Sequence, residues 1–188
     1  RTVDLFFGGP MEIVNFFEKM AGRWFSQRTT HALSSQQSKA GKSDLEVNFL
    51  AAEATEVQQL CEQVGADHAK PLCGLQVQQS STVDGDTKPT VLTTLLVPLI
   101  GDGDTPETSE GKLLRSGSVG TPPQTGTYSL DEEVLTINTE TKEAQPTERL
   151  WFINDNLRMR TGITELASGL RIASFCSEIR MGAKPPKS

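Results

Sequence analysis

Residues 147–161 gather the side chains best suited to chemistry: Glu148, Arg158 and Arg160, set among Leu150, Trp151, Phe152, Leu157 and Met159. A guanidinium grips a carboxylate through two parallel hydrogen bonds, and a carboxylate accepts N–H groups or moves a proton. Spacing matters here because a strand alternates faces. With Asn154-Asp155-Asn156 as a three-residue loop and Asn156 left-handed, Ile153 faces Leu157, Phe152 faces Arg158 and Leu150 faces Arg160. Glu148 lies one step further along, so one wall carries Glu148, Leu150, Phe152, Arg158 and Arg160. Guanidiniums on an apolar wall are costly unless an anion meets them, so this wall suits a large, flat, acidic ligand. Two other readings stay open. Arg-Met-Arg can be a solvated face, with Trp151, Leu157 and Met159 turned to the core. A two-residue loop would shift the register by one and carry Glu148 to the face opposite the arginines.

The elements that must hold this hairpin are mostly strands. Apolar residues Val14, Phe17, Met20 and Ala21 recur at helical spacing over residues 11–21, after Pro10 and before Gly22. A second helix is predicted over residues 55–64, with Val57, Leu60, Cys61 and Val64 on one side and Gly65 as its stop. Residues 43–50 alternate Leu45, Val47 and Phe49 with Asp44, Glu46 and Asn48, the pattern of a half-buried strand. Further strands are expected near 26–36, 73–80, 89–99, 111–116, 125–130, 133–141, 147–153, 157–163 and 169–181. Asp84-Gly85-Asp86 and Gly101-Asp-Gly-Asp-Thr-Pro106 supply turns. The second of these lacks the later glutamate of a calcium hand and reads as a solvated loop. About ten short antiparallel strands with two helices predict a mainly β fold, a closed up-and-down barrel that encloses one small ligand.

Composition narrows the function. The 188 residues fit one domain, residues 11–182, with an extension at 1–10 and a loose polar tail at 183–188. The extension is either added sequence or the remnant of a removed targeting peptide. With 24 acidic against 18 basic residues, a net charge of −6 and no basic run, there is no electrostatic footprint for nucleic acid. The apolar runs are too short for a membrane helix. Cys61, Cys73 and Cys176 lack metal-ligand spacing and read as reduced, buried small hydrophobes. No phosphate-cradling spacing is visible, nor a nucleophile elbow that would support an esterase; no metal, nucleotide or flavin is implied.

Two resemblances follow. Gly22-Arg23-Trp24 after a helix, with Arg180 near the end of the last strand, is similar to the lipocalin arrangement. There the tryptophan seats at the barrel floor and the arginine covers its ring, a cation–π contact of about 0.5–2 kcal/mol. Trp24 and Arg180 are then structural. More specifically, Trp24-Phe-Ser-Gln-Arg-Thr-Thr-His31, Ser38-Lys-Ala-Gly-Lys-Ser-Asp44, Glu148-Arg-Leu-Trp-Phe152, Asn156-Leu-Arg-Met-Arg-Thr161 and Ala173-Ser-Phe-Cys-Ser-Glu-Ile-Arg180 resemble the S/U-type phycobiliprotein chromophore lyases. These blocks keep the order and approximate spacing of that family over residues 11–181.

The resemblance implies a lipocalin-like barrel that binds a free phycobilin, an open-chain tetrapyrrole with two propionates. It delivers the pigment to a cysteine of an apo-phycobiliprotein α or β subunit, where a thioether forms. Phycoerythrobilin is the expected pigment. The bilin is substrate, and no separate cofactor is implied. Positions matching Glu148, Trp151, Arg158 and His31 are those the family associates with bilin binding or transfer. Arg158 would clamp one propionate and Arg160 the second, or Arg160 would form a structural ion pair. Glu148 would meet the pyrrole N–H groups or transfer a proton. His31 could help activate the incoming thiol, and Arg28 would be an anionic contact or a rim charge. The chain departs from the family in two places: His31-Ala32 stands where paired histidines are usual, and residues 74–84 carry no tryptophan. A soluble protein of an algal plastid or a cyanobacterial cytoplasm is expected, with a homodimer among the assemblies allowed. A non-catalytic carrier of a bilin or another anionic apolar ligand is the alternative.

Overall fold

The computed structural model describes residues 12–102, 109–117 and 120–182. The expected extension at 1–10, the tail at 183–188 and most of the acidic loop at 101–106 lie outside those residues. The chain runs α1 (Ile13–Met20), β1 (Gly22–Ala32), β2 (Gln37–Leu50), α2 (Thr55–Val64) and β3 (Gly74–Val83). It continues through β4 (Thr90–Pro98), β5 (Glu110–Ser116), β6 (Gln124–Asp131), β7 (Val134–Thr139), β8 (Ala144–Asn154), β9 (Leu157–Leu166) and β10 (Arg171–Arg180). Every strand pairs antiparallel with its sequence neighbours, and β1 pairs with β10 to close the barrel. The expected mainly β, up-and-down barrel with two helices is the fold observed. Closure leaves no free strand edge.

Because side chains alternate across each strand, the barrel has two apolar layers. Leu45, Val47, Leu75, Leu96, Leu113, Tyr128, Leu135, Ile137 and Leu150 fill the lumen together with Ile13, Phe16, Phe17 and Met20 of α1. The first helix thus plugs one end. The second helix lies outside, where Val57, Leu60 and Cys61 pack on Leu95, Val97 and Leu114. Gly65 ends α2 with a left-handed φ of 69°, as its position predicts.

The first two strands begin well before the residues that periodicity suggests. The first starts at Gly22, whose φ of +129° lets the chain pass straight from helix to strand. A Cβ there would lie 2.5 Å from Arg180 Nη1, so any other residue must displace the arginine beside Trp24 as well as adopt the positive φ. The second starts at Gln37, and its first residues are exposed and polar. Backbone pairing with β1 extends them without any apolar alternation to announce it.

Candidate functional site

The plugged end of the barrel holds a saturated ion cluster. Trp24 is buried and donates from Nε1 to the Met20 carbonyl at 2.9 Å. The guanidiniums of Arg158 and Arg180 lie 4.2 and 4.3 Å from its ring centroid. Arg180 also donates to the carbonyls of Ala21 at 2.6 Å, Lys19 at 2.9 Å and Asp155 at 2.9 Å. Arg158 donates from Nη1 to the Met20 carbonyl at 3.3 Å. The last carbonyls of α1, which lack helical partners, are therefore capped by cations, the favoured sign at a helix C-terminus. Glu178, fully buried, accepts from Arg158 Nε at 2.9 Å and Arg160 Nη2 at 3.4 Å. Burial alone would push the Glu178 carboxyl up; Arg160 and Arg158 outweigh it and hold the group below its ordinary range. Burial pushes the Arg158 guanidinium down to about 10 despite Glu178, which still leaves it charged at neutral pH. For Arg160, burial pulls down but Glu178, Cys176 and Glu148 together shift it upward.

Above this floor lies a cavity of ≈ 230 Å³ inside the barrel. Leu45, Val47, Val77, Leu92, Leu96, Leu135, Ile137 and Leu150 line it, with Met20, Gln79 and Thr94. Arg28, Arg115, Arg158, Arg160 and Glu148 set its electrostatics. Arg115 Nη2 donates to Glu148 Oε2 at 2.8 Å. Two depressions of ≈ 390 Å³ lie elsewhere. One, on the outer wall of β5–β7, borders the solvated Lys70–Asp102 pair; the other lies between residues 138–147 and 163–171. Neither collects guanidiniums in an apolar enclosure.

The hairpin has the predicted wall but not the predicted turn. Phe152 pairs with Arg158, Leu150 with Arg160 and Glu148 with Gly162, which puts Glu148 and both arginines on the lumen side. Leu157, however, pairs with Asn154 rather than Ile153, and the turn is the two residues Asp155 and Asn156. A bulge at Ile153 absorbs the missing residue and restores the register. Asn156 is not left-handed; its N–H is held by Asn154 Oδ1 at 2.9 Å instead.

Of the predicted site residues, Glu148, Arg158, Arg160 and Arg28 meet in the cavity, and Trp24 and Arg180 form the floor. His31 and Trp151 do not join them. The inward positions of β1 and β8 are even-numbered, so both residues fall on the outer wall: His31 is exposed, and Trp151 is half-buried opposite Met159. Sequence reasoning missed Glu178 and Arg115. Glu178 shares strand parity with Cys176 and Arg180, and Arg115 shares it with Leu113, so alternation alone could have turned both inward. Cys61, Cys73 and Cys176 are free and buried as expected. Burial, with Glu18 adding to it, pushes the Cys73 thiol up to about 12.

A closed barrel with a cationic, apolar lumen narrows the relatives to compare. The pattern described as CpeS-like protein matches residues 12–181. The chain belongs to the CpeS-like family. A chromophore lyase CpcS/CpeS from Thermosynechococcus vestitus is 41% identical over 94% of this chain and 96% of its own length. A phycocyanobilin lyase subunit CpcS from Picosynechococcus is 33% identical over 90% of this chain and 86% of its own. The solved S-type phycobiliprotein lyase CPES from Guillardia theta superposes with a TM-score of 0.80 at 28% identity, covering 93% of this chain and 95% of that one. This CpeS-like protein is a lyase. No helix among its described residues is long and apolar enough to cross a membrane.

Proposed function

We propose that this lyase binds a free phycobilin and promotes its thioether attachment to a cysteine of an apo-phycobiliprotein α or β subunit. One observation carries the reading: four guanidiniums, from Arg28, Arg115, Arg158 and Arg160, line an apolar cavity that holds a single carboxylate, Glu148. With Glu178 behind them, two positive charges are in excess inside the barrel. A phycobilin brings two propionates on a long apolar conjugated frame. The names of the relatives support the same chemistry, as does the S/U-type, lipocalin-like pattern of the sequence.

In this reading Arg28 meets a propionate, and Arg158 and Arg160 contribute their charge from the floor. Charge-assisted hydrogen bonds of this kind contribute about 1.5–3 kcal/mol each. Glu148 accepts the pyrrole N–H groups. The acceptor thiol adds across the exocyclic double bond of the first ring: sulfur bonds to one carbon, the thiol proton goes to the other, and nothing is oxidised. The barrel contributes by fixing the pigment's conformation and excluding water. Val77 and Gln79 stand on the β3 wall where rings would stack. We propose phycoerythrobilin as the pigment and expect it to bind more tightly than phycocyanobilin in parallel absorption titrations; the reverse order overturns that choice. A homodimer and a cyanobacterial cytoplasm or algal plastid complete the reading, and sedimentation tests the first of these.

The deciding experiment mixes the protein, free phycobilin and an apo-subunit, then denatures the product. Colour covalently retained on the acceptor above the spontaneous level is expected. Pigment binding without enhanced transfer would make the chain a carrier instead.

A further inference from the structure

We propose that Arg115 binds a propionate of the pigment, and that the pigment itself frees it by drawing Glu148 away. This deepens the phycobilin reading and rests on it.

The Arg115–Glu148 contact of 2.8 Å joins β5 to β8, and β6 and β7 lie between them in the sheet. Side chains on strands three apart cannot meet along the wall, so the pair bridges the lumen itself. It occupies space that a ligand needs. The ≈ 230 Å³ cavity is below the roughly 300–1,000 Å³ of small-molecule pockets and is tight for four pyrrole rings. Parting the pair enlarges it.

The two partners differ from the floor ions in how fully they are used. Arg158 and Arg160 share Glu178, and taking either away would leave a fully buried carboxylate with half of its counter-charge. Arg115 has no such obligation. Its Nε is buried without a hydrogen-bond partner, so Glu148 satisfies only part of the guanidinium. A propionate could take both edges of the fork. The pigment carries both replacements, pyrrole N–H groups for Glu148 and a carboxylate for Arg115. One partly solvated ion pair is exchanged for a new ion pair and charge-assisted hydrogen bonds, and no charge is left alone.

The test compares a phycobilin with its dimethyl ester, which keeps the tetrapyrrole and lacks the propionate charges. Wild-type protein should bind the free acid more tightly than the ester. Arg115→Gln should lower affinity for the free acid about tenfold or more and leave ester affinity within about twofold. Arg115→Lys should recover part of the loss on the acid alone. If Arg115→Gln melts early, Arg115→Lys with the same two ligands carries the comparison, expected to lose on the acid only. Equal losses on acid and ester, or no loss on the acid, overturn the exchange while the phycobilin reading stands. A wild type that ignores the propionates does the same. A wild type that binds neither pigment overturns the phycobilin reading itself.

Discussion

The floor and the middle of the lumen use the same ingredients to opposite ends. At the floor, Arg158 and Arg180 bracket Trp24, Glu178 is shared by two arginines, and the end of α1 supplies further acceptors. In the middle, Arg28 lines the cavity and Arg115 has one carboxylate for a guanidinium whose Nε is left over. A saturated cluster holds a fold together, whereas an undersatisfied one invites a ligand, since each unpaired buried group raises the cost of the empty state. An arginine inside a barrel is therefore not by itself a binding residue; its existing partners decide.

That contrast can be broken at several points. The largest effect belongs to the floor: Glu178→Gln should cost about 3–5 kcal/mol in denaturant unfolding, because Arg158 loses its buried counter-charge. Since the folded-state pKa of Glu178 lies below its ordinary 4.5, its stabilisation is full at neutral pH. It fades as pH falls below that value and through the folded one. The acid limb of the stability curve should flatten in Glu178→Gln; an unchanged limb would place the titrating carboxylate elsewhere. Gly22→Ala should cost about 1–3 kcal/mol through its positive φ and its approach to Arg180. Near-wild-type melting would show that the floor can shift to make room.

In the middle the ranking inverts, with little effect on folding and more on pigment. Glu148→Gln should change stability by less than about 1 kcal/mol, since its pair is partly solvated. It should nonetheless alter the absorption spectrum of bound bilin, and an identical spectrum would turn Glu148 away from the pyrroles. Arg28→Gln should weaken pigment binding several-fold by titration. The smallest effects belong to the outer wall: His31→Ala and Trp151→Phe should leave pigment affinity within about twofold. A larger loss from either would mean that pigment reaches around the barrel rim.

Much of this was legible before any fold was known. The alternation in residues 43–50, the Gly65 stop and the glycine that precedes Trp24 are local signals, and each corresponds to an observed element. Spacing offers a wall of Glu148, Leu150, Arg158 and Arg160 as one of three readings of the hairpin, and the register selects it. The turn was not legible. A three-residue loop and a two-residue turn with a bulge give the same pairing, and side-chain pattern cannot tell them apart. Nor was the first half of β2, where polar residues are held by backbone bonds alone.

By itself, then, the order of residues determined the strands, their faces and the presence of cations beside an apolar wall, because each follows from near neighbours and period-two geometry. Which charges meet was decided only in three dimensions. Glu178 reaches Arg158 from 20 residues away, and Arg115 reaches Glu148 from 33 residues away across the lumen. The first contact depends on the register of the adjacent strands β9 and β10, the second on closure, which brings β5 and β8 face to face; strand periodicity contains neither.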